Sequence, residues 1–441
     1  MKKTFIYLAA LALTLTAAAT LPAAAQEAYS AYTPYSIFGI GQIENIGDQN
    51  TAAMGGIGVG LRDPEFINLL NPASVTSREA SAFMLDFGLK QSNLIFAGAD
   101  AEGNLAKSAK NMCNIDHVVA SFPIYKHSAF RVGIMPFSNT GYAFAFHEDK
   151  DEILATLGDV QYFRSGQGGI NQVFAGAGVT LFDRLSLGAD AIYYIGTIRR
   201  STSTYFATNT FQRTATRSWN SVNRGFSARA GIQYEQPLGE NLSLTVGATY
   251  KLGSTIKAEC TELAYASGGN YVDTTINNSY AAEYRIPQEM AVGFTLRKSG
   301  SWMFGFDYTR QDWTKTVFDP TPGVDFSTGV SESFRAGLEF TPNRYDVRYY
   351  FRTVTYRLGA YHKTQYMLIN GRQVATDAIT LGFALPVYNR RTSVSVAVDL
   401  GQTSSMGAPS LTAPGNIRER FIKLSFGLNL YDIWFQKVLY N

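Results

Sequence analysis

Hydrophobic and polar residues alternate along most of this 441-residue chain. Over 301–309 the sequence reads SWMFGFDYT, so Trp302, Phe304, Phe306 and Tyr308 share one face and Ser301, Met303, Gly305, Asp307 and Thr309 the other. Over 241–252, Leu242, Leu244, Val246, Ala248, Tyr250 and Leu252 oppose Ser243, Thr245, Gly247, Thr249 and Lys251. Val394, Val396, Val398 and Leu400 likewise oppose Ser393, Ser395, Ala397 and Asp399. A period of two is the signature of a β-strand with unlike faces. It predicts fourteen strands, near 80–92, 114–125, 128–146, 167–182, 184–202, 225–236, 241–256, 287–298, 301–315, 331–341, 352–364, 375–386, 390–404 and 417–433. Most exceed the roughly 5–6 residues usual in soluble sheets. They suit the roughly 9–11 residues that a tilted strand needs to cross a bilayer.

The connections alternate as well. Tight turns are predicted at 125–128, 182–184, 237–240, 298–300 and 387–389, with a longer link at 341–351. The stretches at 93–113, 203–224, 257–286 and 405–416 are longer and follow odd-numbered strands. Short turns on one side and long loops on the other are the habit of an outer-membrane barrel. In lipid no free N–H or C=O finds water, so a spanning sheet has to close on itself. The fold class expected is therefore all-β: a 14-stranded antiparallel transmembrane β-barrel over residues 80–441. Trp434 and Phe435 follow the last strand, where an aromatic girdle would sit.

Composition agrees. Charged residues make up only 17% of the chain, whereas Tyr and Phe number 26 and 29, which suits a wall facing lipid. A formal charge of +3 gives no reason to invoke nucleic acid. Residues 1–25 read as a secretory signal: Lys2 and Lys3, an apolar run from Phe5 to Leu15, and a small-residue end at Ala23-Ala24-Ala25. No cysteine follows directly, so a lipid anchor is not expected. The two cysteines, Cys113 and Cys260, are too few for a disulfide scaffold and lack metal-site spacing. Both are placed towards the outer loops, which admits either a disulfide across the mouth or two separate thiols.

Residues 26–79 lack the alternation and are too few to bury a core alone. They contain AMGGIGVGLRDPEFINLLNPAS at 53–74, a glycine-rich and apolar stretch. Asp63-Pro64 reads as an N-cap and first helical residue, with Phe66, Ile67, Leu69 and Leu70 forming a short apolar turn. A lumen of this size needs filling. The stretch is thus expected to be an N-terminal hatch inside the barrel, its glycines letting the backbone press on the wall.

At these residues the chain resembles the FadL-type outer-membrane transporters of hydrophobic compounds. The resemblance lies in Ala52-Ala53-Met54-Gly55-Gly56 through Gly60, in Asp63, and in Asn71-Pro72-Ala73 just before the first strand. Tyr32 to Gly41 and Ile433-Trp434-Phe435 look like Bacteroidetes members of that group. The resemblance implies a place in the bacterial outer membrane among its lipid and lipopolysaccharide. It also implies passive, cofactor-free transport of a hydrophobic small molecule such as a long-chain fatty acid. The hatch motif would be Gly55, Gly56, Asn71, Pro72 and Ala73. Ligand-binding candidates in the hatch are Phe38, Met54, Ile57, Leu61, Phe66 and Leu70. A basic residue meets the ligand carboxylate in the family, and Lys251 and Arg229 have luminal parity here. The family also releases ligand sideways at a kinked third strand. In this chain Pro136, with Ser138, Asn139 and Gly141, marks such a break, because proline cannot donate to a ladder. A lateral opening and a mere bulge both fit those residues.

Other signals carry less. Gly56-Ile57-Gly58-Val59-Gly60 lacks the preceding strand of a nucleotide fingerprint. His117, His127, His147 and His362 do not cluster, and no nucleophile motif accompanies them, so an enzyme is not expected. Besides transport, a PorV-like role as a protein-secretion or interaction scaffold shares the barrel and a similar hatch motif. A general porin is disfavoured by the apolar hatch.

Overall fold

The computed structural model describes residues 32–78, 82–99, 105–148, 150–206, 213–268, 271–318, 325–388, 392–406 and 417–433. Residues 1–25, expected to be a secretory signal, and Trp434-Phe435 lie outside them. The alternating segments form fourteen antiparallel strands. These are β1 (Ala82–Ala99), β2 (Leu105–Tyr125), β3 (Ser128–His147), β4 (Val160–Leu181), β5 (Leu185–Phe206), β6 (Thr214–Pro237), β7 (Leu242–Lys251 and Ser254–Gly268) and β8 (Tyr271–Ile286 and Glu289–Lys298). They continue with β9 (Trp302–Asp312), β10 (Val330–Phe340), β11 (Thr355–Ile369), β12 (Arg372–Tyr388), β13 (Thr392–Ser405) and β14 (Ile417–Ile433). Neighbours in sequence pair in order, and β14 returns to β1 in continuous register from Ile417↔Gly98 to Ile433↔Ala82. The sheet is therefore a closed barrel of the outer-membrane type, whose paired strands satisfy one another's backbone groups.

Alternation sets the two faces. Val246 is 51% exposed while its neighbour Thr245 is 4% exposed. Phe294, Leu338, Leu381, Ile422 and Phe426 point outward, and Asp307, Arg335, Gln233 and Thr380 point in. The outward band is what lipid requires, because hydrocarbon accommodates apolar side chains and does not solvate polar ones. Among the described residues no helix is long and apolar enough to cross a membrane.

One reading of the loops changes. The stretches 93–113, 203–224 and 257–286 are mostly strand, joined by short outer connections such as Gly268 to Tyr271. Beyond the bilayer both faces of a ladder meet water, so alternation fades and the strand signal with it. Residues 272–281 of β8, for instance, are exposed on both faces. Strands β7 and β8 are each interrupted at one level, at Leu252-Gly253 and Pro287-Gln288. Pro287 has no N–H to give the ladder, and the gap is bridged from β9 by Gln311 Nε2 donating to the Pro287 carbonyl at 2.9 Å. The 341–351 link is a long connection between β10 and β11, carrying a short 3-10 turn at Tyr350–Arg352.

Candidate functional site

Residues 32–78 lie against the inner face of the barrel. Their helices are short and capped: Asp48 caps Gln49–Ala52 through the Asn50 and Thr51 amides. Asn71 caps the 3-10 helix Pro72–Ser77 through the Ala73 amide. That gives Asn71-Pro72-Ala73 a physical meaning, since proline suits the first helical position and asparagine the cap. Asn71 Nδ2 also donates to the Val59 carbonyl at 2.8 Å, tying the motif to the glycine run. No helix forms after Asp63-Pro64. The Asp63 carboxylate is held by Arg297 at 2.8 Å, and Asn68 turns the chain by donating to the carbonyls of Gly58 and Leu61.

The wall grips this segment by its backbone. Asp307 Oδ2 accepts the amides of Gly58 at 2.6 Å and Val59 at 2.8 Å. Thr380 accepts from Gly55 N and donates to Ala53 O. Arg335, Gln233, Thr295 and Arg229 donate to the carbonyls of Gly56, Val59, Gly60 and Leu69. Arg131, paired with Asp190 at 2.6 Å, donates to the Asn68 carbonyl. Glycines on the wall make room for this contact. A Cβ on Gly247 would sit 2.0 Å from the Val59 carbonyl oxygen, and one on Gly359 2.1 Å from the Gly55 nitrogen. Gly55 and Gly56 themselves have φ of 71° and 80°, a region that other residues rarely adopt.

The third strand leaves its neighbour. Strands β2 and β3 pair only from Val118↔Ile134 down to Tyr125↔Ser128, although both continue upward. Among the described residues the freed β3 edge is met by the N-terminal segment instead. Gln42 and Ile43 pair with Asn139 and Ser138, Glu44 N donates to Phe137 O at 3.0 Å, and Thr33 N to Gly141 O at 2.8 Å. β3 bulges between Pro136 and Ser138 against β4. A chain of charges spans the seam. Asn139 donates to Glu44, which pairs with Lys90 at 2.8 Å; Lys90 reaches Asp116 at 3.0 Å, and His117 lies between Asp116 and Asp86. Burial alone would raise the Glu44 carboxyl, but Lys90 and Lys423 outweigh it and hold it at about 2. Beside this chain lies a cavity of about 230 Å³ lined by Tyr32, Met112, Asn114, Pro136, Asn139 and Lys423 among others.

A larger cavity, about 500 Å³, opens on the outer side above the segment. Ile37, Gly39 and Ile40 form its floor, and Ile198, Tyr142, Trp219, Tyr284 and Phe318 its greasy walls. Arg164, Arg200 and Arg217 stand among them. Arg200 donates to the Gly39 carbonyl, Arg217 pairs with Glu262, and Arg164 stacks over Phe146. The volume falls in the range of small-molecule sites, roughly 300–1,000 Å³.

The residues singled out from sequence are distributed as follows. Met54, Ile57, Leu61 and Phe66 pack with Met303 in one buried cluster. Phe38 stacks on Phe326 at 4.8 Å, next to the vestibule floor. Leu70 borders a small cavity of about 60 Å³ with Phe137, Arg229 and Lys251. Lys251 is committed to Glu289 at 3.1 Å, and Arg229 to the Leu69 carbonyl, so both basic candidates serve the packing of the lumen. Pro136, Asn139 and Gly141 all lie on the freed edge of β3. Sequence reasoning missed Trp219, Tyr284, Phe318 and the three vestibule arginines: Arg164, Arg217, Trp219 and Tyr284 sit on strand extensions beyond the predicted strands, Phe318 follows the end of β9, and Arg200 lies on a predicted strand whose luminal residues were not weighed. The luminal parity of Ile198-x-Arg200 and Arg217-x-Trp219 is the signal that could have found them. The cysteines are free: Cys113 is exposed on the outer face, whereas Cys260 lines the vestibule, so a bridge across the mouth does not form. Among the described residues no three His, Cys, Asp or Glu side chains are arranged to hold a metal ion.

Comparison with known proteins places this geometry. A family model, BamG, matches residues 1–441. An FadL homologue of Pseudomonas aeruginosa superposes with a TM-score of 0.56 at 11% identity, covering 89% of this chain and 99% of that one. The toluene transporter TodX of P. putida gives 0.55 at 12% identity, covering 90% and 100%. The toluene transporter TbuX of Ralstonia pickettii gives 0.51 at 13% identity, covering 88% and 98%. No curated protein sequence matches the chain. At such identities the likeness is one of fold: the FadL-type fourteen-stranded barrel.

Proposed function

The chain belongs to the BamG family and carries the FadL-type outer-membrane barrel, and from this premise we propose that it passes hydrophobic small molecules through the outer membrane without an energy source. The vestibule carries the reading. Its aromatic and aliphatic walls would shield apolar ligand surface at about 25 cal/mol per Å² removed from water. Its arginines suit the acid head of a ligand such as a long-chain fatty acid. The solved neighbours include toluene transporters, which supports an apolar cargo.

In this reading residues 26–79 act as the hatch. Ligand held above Ile37–Ile40 is released when Gln42–Glu44 leave the β3 edge. The seam between β2 and β3, with Pro136, Asn139 and Gly141 at its rim, then gives a sideways route into the bilayer. Release into lipid costs little, since the hydrocarbon offers the same burial. No residue is asked to do covalent chemistry.

The test is uptake of a fatty acid and of toluene into vesicles holding the full chain, with organic extracts of the purified protein analysed by mass spectrometry. Uptake weakened by Trp219→Ala and Arg200→Gln supports the proposal. An empty vestibule, no uptake above protein-free vesicles, and a stoichiometric protein partner would replace it with a PorV-like scaffold.

A further inference from the structure

The connection between β10 and β11, residues 341–354, stands on the side of the tight turns. Its sequence at 344–352 is RYDVRYYFR. Val347 is 92% and Phe351 76% exposed, and Tyr345, Tyr349 and Tyr350 are exposed as well. The other described turns on this side carry at most one such residue, as Phe182 and Leu238. Water is a poor medium for this surface, yet the loop is ordered. Asp346 accepts the amides of Arg348 and Tyr349 and pairs with Arg352 at 3.3 Å. Arg344 reaches inward to Glu65 at 2.9 Å, which leaves Arg348 and Arg352 facing outward, each stacked over Tyr349.

Two tyrosines fix where the loop lies. Tyr356 OH donates to the Phe351 carbonyl at 3.0 Å, and Tyr350 OH to the Pro386 carbonyl at 3.1 Å. Tyr356 is edge-on to Phe383, 5.7 Å between centroids, and Phe383, Phe340 and Leu358 belong to the outward band. The loop is thus a continuation of the lipid-facing surface past the end of the strands. Tyrosine and arginine together are what the headgroup layer selects: a ring with one wet end, and a planar donor fork that binds phosphate.

We propose that residues 344–352 lie in the headgroup layer of the inner leaflet and bind the phosphate of anionic phospholipid through Arg348 and Arg352. The loop then fixes the barrel's depth and tilt on the β10–β12 side. Because Arg344 of the same loop is tied to Glu65, a lipid contact is also mechanically joined to the N-terminal segment in the lumen.

The test uses the full chain with Cys113→Ser and Cys260→Ser, a nitroxide on Val347→Cys, and vesicles of phosphatidylglycerol or phosphatidylcholine. A label on Lys107→Cys, far out on β2, serves as the aqueous reference, and heat-modifiable gel migration checks folding. At Val347 the label should be reached by oxygen but shielded from a water-soluble nickel relaxant, unlike at Lys107. Native mass spectrometry should show retained phosphatidylglycerol falling about five-fold for each arginine removed in Arg348→Gln and Arg352→Gln. A Val347 label as open to nickel as Lys107 in both vesicles overturns the proposal, and so does phosphatidylglycerol retention by the arginine variants equal to that of the unaltered chain. A label buried only when a second protein is added would make the loop a protein dock instead, which also overturns it.

Discussion

Single residues decide how the N-terminal segment sits. Gly247 and Gly359 leave no space for a Cβ, the first against the Val59 carbonyl and the second against the Gly55 amide. Gly247→Val or Gly359→Val should therefore unseat residues 53–60 while the outward face and the ladder persist. Hydrogen exchange on 53–60 should then quicken without loss of the heat-resistant barrel band on gels. Asp307 is fully buried and takes two amides of the segment. Asp307→Ala strands those donors and should weaken seating by about 1–3 kcal/mol for each left unpaired. Glu65 contributes a pH response, together with Asp48, whose carboxyl burial raises to about 6. Burial and the nearby Asp63 raise the Glu65 carboxyl to about 7 from an ordinary value near 4.5, so the seated form holds a proton that the unseated form releases. Seating should weaken as pH rises from about 4.5 through about 7 and level off above. Glu44, held at about 2, stays ionised across that window. Exchange rates at 61–70 measured at pH 5 and pH 8 check this, and Glu65→Gln should reduce the difference. The sequence made Asn71-Pro72-Ala73 and the glycine run conspicuous, because capping and positive φ are local demands. It did not reveal that Lys251 and Arg229 are occupied, since Glu289 and the Leu69 carbonyl reach them only through the closed sheet.

In the proposed transport, strand β3 is the element that has to open. It loses β2 above Ile134 and takes a short strand of the N-terminal segment in its place. Ile43 and Ser138 are directly opposed, close enough for a disulfide between introduced cysteines. Ile43→Cys with Ser138→Cys, in a background lacking Cys113 and Cys260, should abolish uptake when oxidised and restore it on reduction. Uptake unchanged by oxidation would show that this edge need not open. Pro136 announced the break at sequence level, because a missing donor cannot be hidden in a ladder. The extent of the break was not legible, being a property of two strands and not of one. The outer halves of β1, β6, β7 and β8 were invisible for a different reason: beyond the membrane they lose the contrast between faces by which strands are recognised.

At the scale of the molecule the barrel and its contents are separable. The β14–β1 ladder closes the wall without any help from residues 32–78. A chain lacking those residues but keeping residues 1–31 should still insert as a barrel. It should swell vesicles with sugars far faster than the full chain, because among the described residues it is this segment that fills the bore. Failure of that variant to insert would mean that the segment is needed for assembly. Strand number, order and sidedness were readable from the sequence because lipid imposes a strict alternation on every crossing. The vestibule was not, because it belongs to the part of the wall that lipid never disciplines. The manner of gripping has its own consequence. Asp307, Thr380, Gln233, Thr295, Arg335 and Arg229 all hold peptide groups of the stopper. Peptide groups are the same in every protein, so the bore recognises a path and not a spelling. Stoppers of quite different lettering, provided they keep glycine where the walls close in, should be exchangeable among such barrels like cartridges.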